Sequence, residues 1–466
     1  MRMRDYYCIK KKHKKSETYL QHFKKNFSFA APVLFTQLGI ICIGFSDNMM
    51  VGSLGKEALA SVSLSNSVFF ITIIFGFGIA TAISSLIASV DAKREYKKGA
   101  IILYHGIIIN FFLSIFMYLS TRGFLSYIFP HLGQPKEVLN DTISFLKITA
   151  ISFIPWMIFE IFRKFSEGLS LVFPGLIITW ISVFINITLN YFFINGFYGF
   201  PKLGVIGVAY ATLISRISML IGIYFLLYKY RKVRLYYSHL KVFLLKKKYF
   251  MKILKIGIPS GFHMLFEMST FSISSFLSGK CGIKELAVHQ IVINLISSTF
   301  LLCTSFSIAA TIRIGNQHAL KNYSELRKIG GSIIFMGMMF MFICSILFIS
   351  LRKNIPYLYI KNDYEVVHMA EKMILIASIF QLPDGIQGII IGALRGMQDV
   401  TIPMWISFFS YWILALPIAC FLSLYFNRGV QGIWIGLGVG LTTSAILMII
   451  RYQSITKKLI KINKNM

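Results

Sequence analysis

From Phe29 to Arg451 the chain is a succession of apolar runs, interrupted by short stretches rich in Lys, Asn, Gly and Pro. The runs lack the alternation of a half-buried strand, and most are close to the ~20 residues that span a bilayer core. The pattern predicts twelve helices, near 28–52, 59–89, 100–120, 142–163, 172–195, 204–228, 253–278, 286–311, 330–351, 370–393, 402–426 and 430–451. Because lipid admits only helices or closed barrels, the expected fold class is an all-α polytopic membrane protein. The second run is longer than a bilayer needs, so its helix should tilt, bend or project. The chain starts basic and then turns apolar, but Phe29 to Gly52 is long enough to span and ends in no small-residue cleavage site. It therefore reads as a retained first helix.

The two halves repeat one another. Pro32 and Pro259 lie 227 residues apart, as do Gly55-Lys56-Glu57-Ala58-Leu59-Ala60 and Gly282-Ile283-Lys284-Glu285-Leu286-Ala287. Pro174 pairs with Pro403 at 229, and Gly204-Val205-Ile206-Gly207 with Gly429-Val430-Gln431-Gly432 at 225. Six helices per repeat is an even number, so both repeats enter the membrane from the same side, as parallel repeats do. The expected architecture is two six-helix bundles, at 28–228 and 253–451, flanked by basic segments at 1–27 and 452–466 and joined by a linker at 229–252. Two such bundles leave a cleft that rocking opens to either side, which suits an alternating-access transporter.

Composition agrees. Of 466 residues, 56% are hydrophobic and 14% charged, against roughly 25% charged in soluble domains. Net charge is +30, which in a soluble protein would suggest nucleic acid; here the basic residues border the apolar runs. Counted by loop side, 35 Lys and Arg fall on one side and eleven on the other, with Lys147 and Arg216 inside spans. Placing the richer side inside puts both termini in the cytoplasm of a cell (inner) membrane protein. The stretch Lys229 to Lys255 holds ten basic residues and no acid. It reads as a solvated connector or as a contact for anionic lipid headgroups. The six cysteines form no CxxC and no cluster with His, so neither a disulfide framework nor a zinc site is expected.

Four acids remain within the spans, Asp47, Glu160, Glu267 and Asp384, with Glu167 at a loop edge. An acid at the bilayer centre costs ~2.5–3.5 kcal/mol on insertion scales, so each should face a bundle interior. Glu267 and Asp384 lie near the middles of the seventh and tenth helices, Asp384 directly after Pro383. A proline frees a backbone carbonyl in its turn. With the Ser269 and Thr270 hydroxyls this makes an oxygen set suited to Na⁺ or a proton. The alternative is buried protonated acids bonded to neighbouring helices. Asn186 and Asn190 share one helical face; facing Asp47, they would form a proton-binding cluster, and otherwise they serve as interhelical glue worth ~0.6 kcal/mol each. His289, Gln290 and Asn294 open the eighth helix, as structural residues or as contacts for substrate. Glu160 is expected to pair with Arg163 or Lys164. A P-loop, a nucleophile elbow and a metal-hydrolase motif are all missing from the sequence.

Several segments carry a family resemblance: Ala31-Pro32-Val33-Leu34, Gly44-Phe45-Ser46-Asp47-Asn48-Met49-Met50-Val51-Gly52, Leu189-Asn190-Tyr191-Phe192-Phe193, Phe266-Glu267, Ala287-Val288-His289-Gln290, Ile312-Arg313-Ile314-Gly315 and Gly392-Ala393-Leu394-Arg395-Gly396. Through them the chain resembles the multidrug and toxic compound extrusion family, nearest its NorM-type branch, from about Phe27 to Arg451. The resemblance implies a two-lobed antiporter exporting organic cations and drugs in exchange for Na⁺ or H⁺, with no cofactor. Its functional acids match Asp47, Glu267 and Asp384, the latter two as a Na⁺ site, and its polar pair matches Asn186 and Asn190. One branch carries Asp where this chain has Asn190, and an aromatic hydroxyl common four residues before the tenth-helix acid is replaced by Phe380. The expected partners are small organic cations and membrane lipid, with no nucleic acid, for a monomeric protein that is not an enzyme. Two alternatives stay open: a flippase for lipid-linked saccharide, which would want Arg and Lys in its cleft, and a membrane-embedded transferase, which would want His or acid clusters at one membrane face.

Overall fold

A computed structural model describes residues 18–127, 136–197, 199–240, 245–360 and 363–464, and within these the protein is helical, joined by short turns. Helix α1 (Tyr19–Gly52) begins with a capping box in which Thr18 and Gln21 bond each other's backbone N–H, worth ~1 kcal/mol. It is followed by α2 (Lys56–Ala92), α3 (Tyr96–Tyr127), α4 (Lys136–Ile151), α5 (Phe153–Gly168), α6 (Phe173–Asn195) and α7 (Val205–Tyr228). After a short α8 (Arg231–Tyr237) come α9 (Lys247–Cys281), α10 (Ile283–Ala319), α11 (Tyr323–Leu351), α12 (Tyr364–Gly396) and α13 (Thr401–Ser407). α13 runs on through a π-helical stretch (Phe408–Ala415), α14 (Leu416–Cys420) and a second π turn (Phe421–Tyr425); α15 (Gly429–Lys464) ends the described chain.

Each of the twelve expected spans coincides with one of these helices or with a bent or composite one. Ten are long and apolar enough to cross a membrane, and α4 with α5, meeting at 43°, makes an eleventh. α9 has the length, 35 residues, but its middle carries Ser260, His263, Glu267, Ser269 and Thr270. The 37 residues of α2 give a rod of about 55 Å, well beyond a ~30 Å hydrocarbon core.

Several boundaries differ from the sequence reading; α1, for one, starts at Tyr19, inside the basic N-terminal segment. The fourth span continues to Gly168, so Arg163 and Lys164, expected in a loop, are buried on α5. There Arg163 bonds Glu160 (2.7 and 3.0 Å) and Glu167 (3.2 Å), and Lys164 bonds Glu167 (2.8 Å), so two cations and two anions neutralise one another within two helical turns. Helix α8 interrupts the linker; its buried Val233 and Tyr236 dock under α2, where Tyr236 and Lys232 both donate to Asp91 (2.9 and 2.7 Å). The C-terminal segment continues α15 as helix. The first 17 residues of the basic N-terminal segment, and 241–244 of the linker, lie outside the described residues.

The internal repeat is written into the backbone. Positive φ recurs at matching joints: Gly55 and Gly282 (+125° and +151°), Arg94 and Lys321 (both +57°), Ser170 and Gln398 (+63° and +62°), Gly204 and Gly429 (+57° and +51°). Backbone at positive φ is uncommon away from glycine, so four such joints at offsets of 225 to 228 mark one helix-turn pattern used twice.

The two lobes meet closely on the linker side. A side chain on Gly78 of α2 would collide with the backbone of Gly261 on α9, and one on Gly257 would meet Ile79. These small residues let the helices cross at backbone contact, as membrane interfaces favour. Ile253, Ile256 and Val400 from the second half join one buried cluster with Ile79, Ile83 and Leu86 from the first. Towards the other side α2 and α9 carry exposed faces, including Phe70 and Phe276. α1 bridges the lobes. Asn26 donates to Ser332 (2.7 Å) and Gln37 to Thr304 (2.7 Å) in the second lobe, while Gly39 packs on Thr179 and Trp180 in the first.

Candidate functional site

Glu160 is neutralised by Arg163 on α5, and the other three membrane acids form two separate clusters, one per lobe. In the first lobe α1 and α6 run side by side, held by the Gly39 contact and by Trp180 Nε1, which donates to the Phe35 carbonyl (3.1 Å). About two turns further on, Asn190 Nδ2 donates to Asp47 Oδ1 (2.6 Å) and to Asn186 Oδ1 (3.3 Å). The Asp–Asn–Asn cluster expected from helical spacing is therefore assembled. Two of its polar atoms, Asn186 Nδ2 and Asn190 Oδ1, are buried without a partner. Unpaired buried amide atoms cost free energy, which leaves the cluster with donor and acceptor capacity to spare.

Near Asp47, and in Coulombic contact with it, lies Arg216 of α7. Its guanidinium stacks over Phe69 (4.2 Å) and Trp156 (5.0 Å) and donates to Ser152 Oγ (2.5 Å), at the bend between α4 and α5. The sequence placed Arg216 in a span without a partner; the aromatic box and the bend hydroxyl supply it.

In the second lobe Glu267 and Asp384 are 5% and 3% exposed and interact electrostatically. Gln387 Nε2 donates to Glu267 Oε1 (3.3 Å), and the Tyr411 hydroxyl lies 3.3 Å from the same oxygen and 2.6 Å from Gln387 Oε1. Tyr411 sits in the π-helical stretch before Pro417, and π-helical turns often accompany functional sites. The oxygens of two carboxyls, an amide and a phenol are hard ligands, the chemistry that suits a proton or a hard monovalent cation.

The two hydroxyls singled out from the sequence do not bond the acids. Ser269 and Thr270 donate to the Phe266 carbonyl of their own helix (3.1 and 2.8 Å), and Trp412 Nε1 donates to Ser269 Oγ. The hydroxyl that reaches Glu267 comes from Tyr411. Gln387 was readable, since it follows Asp384 by three residues on the same face; Tyr411, 144 residues from Glu267, was not. Phe380 packs against Gly438 and the Tyr411–Ala415–Leu441 cluster. His289 is buried, 2.9 Å from Ser275 Oγ and beside Trp434. Gln290 and Asn294 share an exposed face of α10, and among the described residues their side chains join neither acidic cluster.

The chain was compared with known proteins. The MatE family profile matches residues 32–192 and 259–421, one match in each half. The chain is similar to the multidrug resistance protein NorM of Aliivibrio fischeri, 30% identical over 442 residues, covering 93% of this chain and 95% of the relative. It is similar also to the multidrug resistance protein MdtK of Yersinia enterocolitica, 30% identical over 452 residues, covering 95% and 97%. Among solved structures it shares its fold with the eukaryotic MATE transporter AtDTX14 at a TM-score of 0.86 and 21% identity, covering 95% and 98%. An outward-facing multidrug resistance MATE family transporter of the MOP superfamily also gives 0.86, at 18% identity, covering 96% and 99%.

Proposed function

Because the chain belongs to the MatE family of membrane transporters, we propose that it is a secondary antiporter exporting organic cations, drugs or toxic metabolites in exchange for Na⁺ or H⁺. The observation that carries this reading is the Glu267–Asp384 pair, buried with Gln387 and Tyr411 in helices otherwise surrounded by lipid. Two adjacent carboxyls in a low-dielectric site cannot both stay charged without a counter-charge, so they exchange a cation with the solvent on whichever side can reach them. The relatives named as multidrug resistance proteins support a broad organic cargo.

The lobe arrangement supports alternating access. The lobes are closed at the Gly78–Gly261 crossing on the linker side, and the exposed faces of α2 and α9 towards the other support a state open to the outside. The positive-inside asymmetry supports cytoplasmic termini in a cell inner membrane. The working unit is a monomer, since both acidic clusters are complete within one chain. Ion and cargo favour opposite lobe arrangements or compete for one site, and their effects on each other's affinity are reciprocal. The Asp47–Asn190–Asn186 cluster serves as a second proton site in the first lobe. The flippase alternative wants free cations in the cleft, whereas Arg216 is engaged by Ser152, Phe69 and Trp156.

The deciding experiment loads proteoliposomes with a fluorescent organic cation and imposes separate Na⁺ and pH jumps. Efflux driven by one gradient and abolished in Glu267→Gln and Asp384→Asn is expected. Undiminished gradient-driven efflux in both variants would refute the reading.

A further inference from the structure

Between α9, α12 and the start of α13 lies a small, partly open cavity lined by Ser260, His263, Ile391, Arg395, Val400 and Pro403. It has room for little more than one water-sized particle. Its polar lining is unusual. His263 is 4% exposed and neither ring nitrogen has a hydrogen-bond partner; Arg395 is 7% exposed and its Nε has none. Ser260 contributes no free donor, because its hydroxyl donates to the Ile256 carbonyl (2.8 Å).

Arg395 belongs to the Gly-Ala-Leu-Arg-Gly segment at the end of α12, to which the cation-exchange reading gives no role. Its backbone carbonyl is fixed by Ser85 Oγ across the lobe interface (2.7 Å), so the residue is anchored while its side chain lacks a salt-bridge partner among the described residues. The nearest carboxylate in sequence, Asp399, is held by both Nε and Nη2 of Arg451 (2.8 and 3.2 Å). Glu267, one turn along α9 from His263, is the charge that acts on Arg395 from a distance. Its Oε1 is taken up by Gln387 and Tyr411. A buried guanidinium nitrogen without a partner favours a paired anion.

We propose that this cavity binds a small monatomic anion, chloride under ordinary conditions, through Arg395 Nε–H and a ring N–H of His263. Its volume excludes phosphate and carboxylates, and charge-assisted bonds from the guanidinium favour a halide over the single water that would otherwise fit. Replacing the Glu267 carboxylate by a neutral amide removes the distant counter-charge acting on Arg395, so halide binding should strengthen in that variant.

The test uses purified full-length protein and bromide. Crystals grown in bromide should show an anomalous peak between Arg395 and His263. Chloride line-broadening in solution, displaced by bromide, should give the affinity. Arg395→Gln is expected to abolish both signals and His263→Phe to weaken binding about tenfold. Glu267→Gln, which disables the proposed cation exchange, is expected to tighten halide binding at least tenfold, so the two ideas fail separately. Should Arg395→Gln not fold, the other two variants still decide the matter. A cavity holding water alone at high bromide, or halide binding indifferent to both His263→Phe and Glu267→Gln, would overturn the proposal.

Discussion

The Tyr411 hydroxyl stands 3.3 Å from Oε1 of Glu267 and 2.6 Å from Oε1 of Gln387. This single contact ties three helices of the second lobe to one buried carboxyl. A phenol placed there can donate to a charged Glu267 or turn its proton to Gln387, so its bonding follows the state of the acid. Tyr411→Phe removes that choice while preserving the packing against Ala415 and Leu441. A hydrogen bond to a charged group contributes ~1.5–3 kcal/mol. The variant should therefore alter the apparent affinity for the coupling ion by roughly tenfold or more, with expression unchanged. Titration of efflux against Na⁺ and pH checks this.

Replacing the acids themselves should be more severe. Glu267→Gln and Asp384→Asn are near-isosteric and remove a costly buried charge, so membrane insertion and melting temperature should hold or rise. Gradient-driven efflux should fall to below about a tenth, a loss of more than ~1.4 kcal/mol of coupling. Paired thermal melts and vesicle efflux measurements separate the two effects.

At the first-lobe cluster, Asn190→Ala deletes the 2.6 Å bond to Asp47 and leaves that half-buried carboxyl without its amide donor. A loss of about 1–3 kcal/mol in stability is expected. Asn190→Asp keeps the shape but sets a second acid against Asp47, so its efflux should gain a steeper dependence on pH than the parent. Efflux recorded over a pH series tests that contrast, and superimposable profiles would argue against a protonatable Asp47 cluster.

The Gly78–Gly261 crossing sets how closely the lobes approach on the linker side. Gly261→Val places a branched side chain against the Phe75 ring and backbone carbonyl of α2, forcing the lobes apart there. The variant should insert normally, transport poorly, and make a cysteine introduced at Ile79 reactive to thiol reagents from the linker side. Labelling that stays as slow as in the parent would count against this crossing as the closed gate.

Tyr236, outside the spans on α8, has its phenol raised well above the ordinary range by burial and then by the adjacent Asp91 carboxylate. A group whose folded pKa lies above its unfolded value stabilises the fold fully below the unfolded value, here 10, and progressively loses that contribution as pH rises beyond it. Melting temperature of the solubilised protein should thus drop above pH 10. The drop should be shallower in Tyr236→Phe, with the two curves running parallel at neutral pH.

The sequence by itself determined the spans, the repeat and which acids must sit in the membrane, because hydropathy and charge sum over consecutive residues that share one solvent. Pro32 with Pro259 and Gly55 with Gly282 exposed the duplication before any coordinates, and the two glycine joints carry positive-φ backbone. Asn186 and Asn190 were legible as a pair because four residues make one helical turn. What those groups touch was decided by tertiary structure. Asp47 meets Asn190 across 143 residues and Glu267 meets Tyr411 across 144, while Ser269 and Thr270, its neighbours in sequence, turn back on their own helix. The rotation and crossing of helices set such contacts. They depend on where two glycines allow backbones to touch and where a helix bends or widens, and no local sum over the chain records either.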